Sequence, residues 1–135
     1  MKYLCLGYYN VEQFDRLSPE EQEAIALELK PYDQALRESG HLVAVGSLQH
    51  RVAATLRPRN GDPILTDGPF TEAKEVVGSF FIIEAEDLEE AVRVASLHPA
   101  ANWGGHLGFA IEVRPIEASS GLEPGGARDV QRSHA

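Results

Sequence analysis

Residues Lys2–Tyr9 read KYLCLGYY, and the way this short run alternates decides the fold. In an extended strand Tyr3, Cys5, Gly7 and Tyr9 share one face, and Leu4, Leu6 and Tyr8 share the other. A strand on a half-solvated sheet alternates apolar with polar residues. Here both sets are mostly apolar, so both faces are expected to meet something dry. Val76–Glu84, VVGSFFIIE, repeats the pattern.

Working outward from this strand, Ser18-Pro19-Glu20-Glu21 marks a helix start. Ser18 caps, Pro19 suits the first helical position and Glu21 completes a capping box. Ile25, Leu29, Tyr32 and Leu36 then follow at helical spacing. Pro31 is expected to kink the helix by removing a backbone donor, and Gly40 is expected to close it. Strands are predicted at His41–Gln49, Val52–Arg57, Pro63–Thr66 and Val76–Glu84, with Asn60-Gly61 as a tight turn. Asp87, with Glu90 three residues on, caps a second helix whose stripe is Leu88, Ala91, Val92 and Ala95. That helix is expected to end near His98-Pro99. Leu107–Pro115 is the last predicted strand. One domain is read over 1–118, and 119–135 is read as a flexible polar tail, because it holds almost nothing to bury.

Without the third and fourth strands, the order is βαββαβ. This is an α+β, ferredoxin-like split-βαβ protomer with a hairpin insert. Its helices cover one sheet face. The other, also apolar, would form a large exposed patch unless a second copy covers it, so a homodimer is expected.

A chain of 135 residues with 43% hydrophobic content fits a single core. The net charge of −9 argues against nucleic acid or an anionic membrane as partner, since no basic excess neutralises phosphates. No apolar run approaches the ~20 residues of a membrane span, and a cytoplasmic protein is expected. Cys5 is the only cysteine, which excludes an intrachain disulfide and a CxxC motif, and a buried inert thiol is expected. The five histidines lack metal-ligand spacing, and GxGxxG, P-loop and GxSxG motifs are absent. No metal or cofactor is therefore expected.

The run Thr66–Pro99, TDGPFTEAKEVVGSFFIIEAEDLEEAVRVASLHP, followed by Glu112-Val113-Arg114-Pro115, resembles the DGPF proteins of the YCII-related superfamily. Members often read DGPFAETKE. Here Thr71, Glu72 and Ala73 stand where Ala, Glu and Thr are usual, while Asp67–Phe70 and Lys74-Glu75 match. The resemblance implies a dimeric α+β barrel and a small bacterial protein, some relatives being encoded beside extracytoplasmic-function sigma factors. Related proteins carry a proposed catalytic pair, a His on the first helix and an Asp in an Asp-Pro step after the second. This chain has no His between Pro19 and Ser39, and His98-Pro99 stands at the second position.

Candidate site residues follow from chemistry and from this resemblance. Asp67 reads as a general base or ligand anchor, or as an Asp that caps its own turn. Phe70 and Lys74 flank it, and the loop is expected to wall a cleft. His98 suits proton transfer near neutrality, or serves as a C-terminal helix cap. Glu112 and Arg114 lie two apart on the last strand, facing the expected dimer interior. There they pair or hold an anionic ligand. A cofactor-free small-molecule enzyme using acid and base residues in a cleft is the first reading. The alternative is a non-catalytic ligand-binding or regulatory dimer linked to a sigma factor, and the third is a structural dimer.

Overall fold

A computed structural model of the chain describes residues 1–71, 73–118 and 121. The predicted tail, Gly121 apart, and Glu72 of the loop lie outside the described residues. The elements are β1 (Lys2–Asn10), α1 (Val11–Asp15), α2 (Pro19–Glu38), β2 (Leu42–Ser47), β3 (Ala54–Arg59), β4 (Asp62–Asp67), β5 (Glu75–Glu84), α3 (Leu88–Ala95), α4 (Pro99–Asn102) and β6 (Ala110–Pro115). A short 3₁₀ turn, Gly105–Leu107, precedes β6.

The main sheet is antiparallel in the order β2-β5-β1-β6, and β3-β4 form a separate two-stranded sheet. This is the predicted ferredoxin-like α+β plan with its hairpin insert. Asn60 and Gly61 both take positive φ, 52° and 86°, as the hairpin turn requires.

The core lies between the sheet and the helices. Tyr3, Cys5, Phe81 and Ile83 from β1 and β5 meet Leu36 of α2 and Ala91, Val94 and Ala95 of α3. Burial pushes the Cys5 thiol up to about 12, which makes it inert. The opposite sheet face carries Leu4, Leu6, Phe80 and Ile82, which neighbour one another in the register and are half-buried. Both faces of the two central strands are therefore apolar, as their sequences predict.

Pro31 lies inside α2, which continues to Glu38. That proline is exposed, and so is Leu27, whose carbonyl loses an amide partner to the ring. Three local expectations are corrected. The buried face of α3 is Ala91, Val94 and Ala95, whereas Leu88 and Val92 are about half exposed. The last strand begins at Ala110, because Gly104 and Gly108 take left-handed φ and bend the chain into the 3₁₀ turn. Finally, α1 is an additional helix, capped by the Asn10 side chain accepting from the Gln13 amide at 3.0 Å.

Candidate functional site

On the helical side of the sheet lies a cavity of about 300 Å³, at the small end of ligand pockets. Its floor is backbone. Gly7 pairs with Ser79 and Tyr8 with Val77, which leaves Gly78 as an extra residue in β5. Such a bulge bends a strand and re-aims its neighbours. A Cβ on Gly78 would come within 2.6 Å of the Tyr9 ring, so only glycine lets that ring lie across the floor.

Tyr9 begins a polar chain along one wall. Its hydroxyl is hydrogen-bonded to Nδ1 of His50, and His50 Nε2 lies 2.8 Å from Oδ1 of Asp15. Arg51 holds the second carboxylate oxygen of Asp15. Asp15 Oδ1 and the Arg51 Nε, at 3.3 Å, both lie against His50 Nε2; with the proton on Nε2 toward the carboxylate, Nδ1 accepts from the Tyr9 hydroxyl. Phe14 fixes the pair sterically, edge-on to Tyr9 at 5.4 Å and at the same distance from His50. Arg51 takes a φ of 63°, a costly conformation for a side chain of its size that recurs at functional turns. Burial holds the Tyr9 phenol above its ordinary pKa, with Arg51 acting in the opposite direction, so Tyr9 rests protonated.

His98 stands in another wall of the same cavity. It is not the cap of the helix before it. It is the N-cap of α4, and its Nδ1 accepts the Ala100 amide at 3.0 Å. Its ring stacks on Phe81 at 4.8 Å with planes 3° apart. Burial pushes its pKa down from 6.5 to about 4, with Asp33 acting in the opposite direction. His98 therefore does not cap a helix C-terminus, and its neutral form is favoured.

This shift makes a stability prediction. Between the folded value near 4 and the unfolded value of 6.5, the unfolded chain binds the extra proton. The contribution of His98 is fully present above the unfolded value and is lost as pH falls toward 4, at most about 1.4 kcal/mol per pH unit. Urea midpoints measured across this window should decline with acid, and His98→Gln should flatten that slope.

The other sequence-predicted residues lie elsewhere. Asp67 ends β4, exposed and paired with Ala54. No turn-capping hydrogen bond from its side chain occurs among the described residues; Thr55 Oγ1 instead donates to the Gly68 carbonyl at 2.8 Å. Phe70 is 65% exposed, under the Arg57 guanidinium at 4.5 Å. Lys74 is exposed, and its carbonyl accepts the Val11 amide at 3.1 Å. None of these residues lines the cavity, so within one protomer the loop does not wall the cleft as expected. Glu112 and Arg114 pair with Leu6 and Leu4, on the sheet face away from His98. Tyr8 donates to Glu112 at 3.3 Å. Asp67, His98 and Arg114 do not share one cavity of the protomer.

Tyr9, His50 and Asp15 escaped the sequence reading. One signal was legible: Asn10-Val11-Glu12-Gln13 has the spacing of a capping box. That spacing predicts α1, and α1 is what carries Asp15 back toward the end of β1.

The YCII-related domain profile matches residues 1–117. An uncharacterized protein of Rhizobium meliloti (strain 1021) is 34% identical over 117 residues, covering 86% of this chain and 92% of that one. Among solved structures, the 5-chloro-2-hydroxyhydroquinone dehydrochlorinase of Burkholderia phenoliruptrix AC1100, in complex with 2,5-dihydroxybenzoquinone, is 20% identical. The match covers 88% of this chain and 96% of that one with a TM-score of 0.40, too distant to bear on chemistry.

Proposed function

The chain belongs to the YCII-related domain family, and on that premise we propose that it is a small-molecule enzyme that moves a proton with its own side chains. The observation that carries this reading is the Tyr9–His50–Asp15 chain at the wall of the cavity. A tyrosine bonded to a histidine that is itself oriented by a carboxylate is an acid–base relay. The Tyr9 proton passes to His50 Nδ1, the imidazolium is held by Asp15, and the phenolate oxygen takes a proton from the bound molecule. The reverse path returns it to another atom. With the proton returned to another carbon the reaction is an isomerisation; where the carbanion expels a β leaving group with its electron pair and the proton goes to that group, it is an elimination.

The test is proton exchange at carbon. The chain is incubated in D₂O with a panel of small enolisable carbonyl compounds and followed by ¹H NMR. Enzyme-dependent loss of a C–H signal supports the relay. Binding without exchange across the panel supports the ligand-binding alternative.

The finer assembly is proposed on the same footing. The half-buried patch of Leu4, Leu6, Phe80 and Ile82 is the ground for a homodimer closed sheet against sheet into a barrel. The DGPFTEAKE run is the ground for placing the chain in the DGPF branch. Light scattering should give twice 14.8 kDa at micromolar concentration, and Leu6→Glu should give the monomer. A monomeric wild type would overturn the barrel.

A further inference from the structure

We propose that His98 is the hydrogen-bond donor to the substrate oxygen, and that the cavity takes a small flat molecule whose carbonyl or hydroxyl oxygen carries developing negative charge. The proposal rests on the proton-transfer reading above and adds to it a second group in the same cavity.

The ring's geometry leaves it one role. Nδ1 is committed to the Ala100 amide, so its lone pair is unavailable as a base. In the neutral ring the proton then sits on Nε2. Nε2 makes no hydrogen bond among the described residues, and His98 lines the cavity. Stacking on Phe81 holds the ring plane, so the N–H direction is set before a ligand arrives. A preorganised donor of this kind stabilises charge that appears only as the proton leaves. An uncharged imidazole can do this, since the donor need not give up its proton. Burial keeps the ring neutral, which agrees with the geometry.

The rest of the cavity describes the ligand. The Tyr9 ring lies over Gly78 and the Ser79 hydroxyl over Gly7, and Tyr9, Phe14 and Phe109 give the cavity an aromatic lining. Such a lining suits a planar conjugated molecule. Removal of a proton by Tyr9 spreads charge onto a conjugated oxygen, and His98 provides the donor for it. An enolate or a phenolate has this shape and charge.

The experiment uses the full chain with ¹⁵N-labelled histidine and two probes, 4-nitrophenol and nitrobenzene. The first presents an ionisable oxygen, and the second has a similar ring without it. The free protein should show His98 as the Nε2–H tautomer at neutral pH. Its Nε2 resonance should shift with 4-nitrophenol and stay in place with nitrobenzene. His98→Ala should weaken 4-nitrophenol binding by about tenfold, the scale of one hydrogen bond to a charged acceptor, and leave nitrobenzene nearly unchanged. An Nδ1–H tautomer, an equal response to both probes, or no 4-nitrophenol binding at millimolar concentration would overturn the proposal. The resonance measurements need no variant, so a poorly folded His98→Ala does not remove the test. The two readings separate. If carbon exchange occurs but His98 ignores the probe, the donor fails and the relay stands. If His98 answers the probe but no compound exchanges, the relay fails and the donor stands.

Discussion

Replacing Tyr9 with phenylalanine is expected to reduce carbon exchange by about 10²–10⁴-fold, the range of general acid–base catalysis. The ring over Gly78 and the edge contact with Phe14 survive this change, so the cavity keeps its shape and loses only the hydroxyl. His50→Gln should lose a comparable factor, because nothing then accepts the Tyr9 proton. Asp15→Asn should lose less. It leaves the turn in place but removes the carboxylate that holds the His50 tautomer, and Arg51 is left facing an uncharged amide. Residues that act as a unit are non-additive, so a Tyr9→Phe/His50→Gln double variant should be no worse than the poorer single. Circular dichroism and probe binding would check that each variant is folded. Additive losses, or a fully active Tyr9→Phe, would overturn the relay.

Phe81→Ala is expected to have the largest effect on stability. Phe81 of β5 is fully buried between the sheet and the helices, and the substitution leaves a cavity that a packed core relaxes into only partly. The cost should be about 3–5 kcal/mol, or a Tm lower by about 10–20 °C for a chain of this size. It also removes the ring on which His98 stacks. The neighbouring Phe80 makes the control. It points to the other sheet face and lies over Gly46, where a Cβ would approach its ring within 2.6 Å. Phe80→Ala should cost much less in dilute solution and more where dimer forms. Equal and concentration-independent losses would count against a covered second face.

The fold was legible because it depends on local signals that agree. The capping box at Ser18 and Glu21 is present in full, and the stripe Ile25, Leu29, Tyr32, Leu36 faces inward. The doubly apolar β1 and β5 are the two central strands. The site was less legible, because it is a matter of distant contacts. Tyr9 and His50 are 41 residues apart, and His50 and Asp15 are 35 apart. Asp15 comes from the end of α1, and His50 directly precedes the left-handed Arg51. His98 was read as the end of a helix, although a proline directly after it marks a beginning: Pro99 occupies the first turn of α4, where a missing amide costs nothing. The DGPF run is dense in turn and charged residues. Within a protomer Asp67 and Phe70 are exposed at the end of the hairpin, and Lys74 and Glu75 are exposed at the start of β5.

That hairpin has a consequence of its own. Among the described residues, β3 and β4 pair with each other and with no strand of the main sheet. Their residues are nearly all exposed, including Leu56 and Leu65, which face each other across the ladder. A two-stranded ribbon without a core opens at far lower free energy than the sheet it leaves. Its amides should therefore trade hydrogen with solvent early, while those of Cys5 and Phe81 wait for global unfolding. Protease nicking should begin between Val52 and Asp67. Slow exchange at Leu56 and Leu65 would mean that something outside the protomer clamps the ribbon.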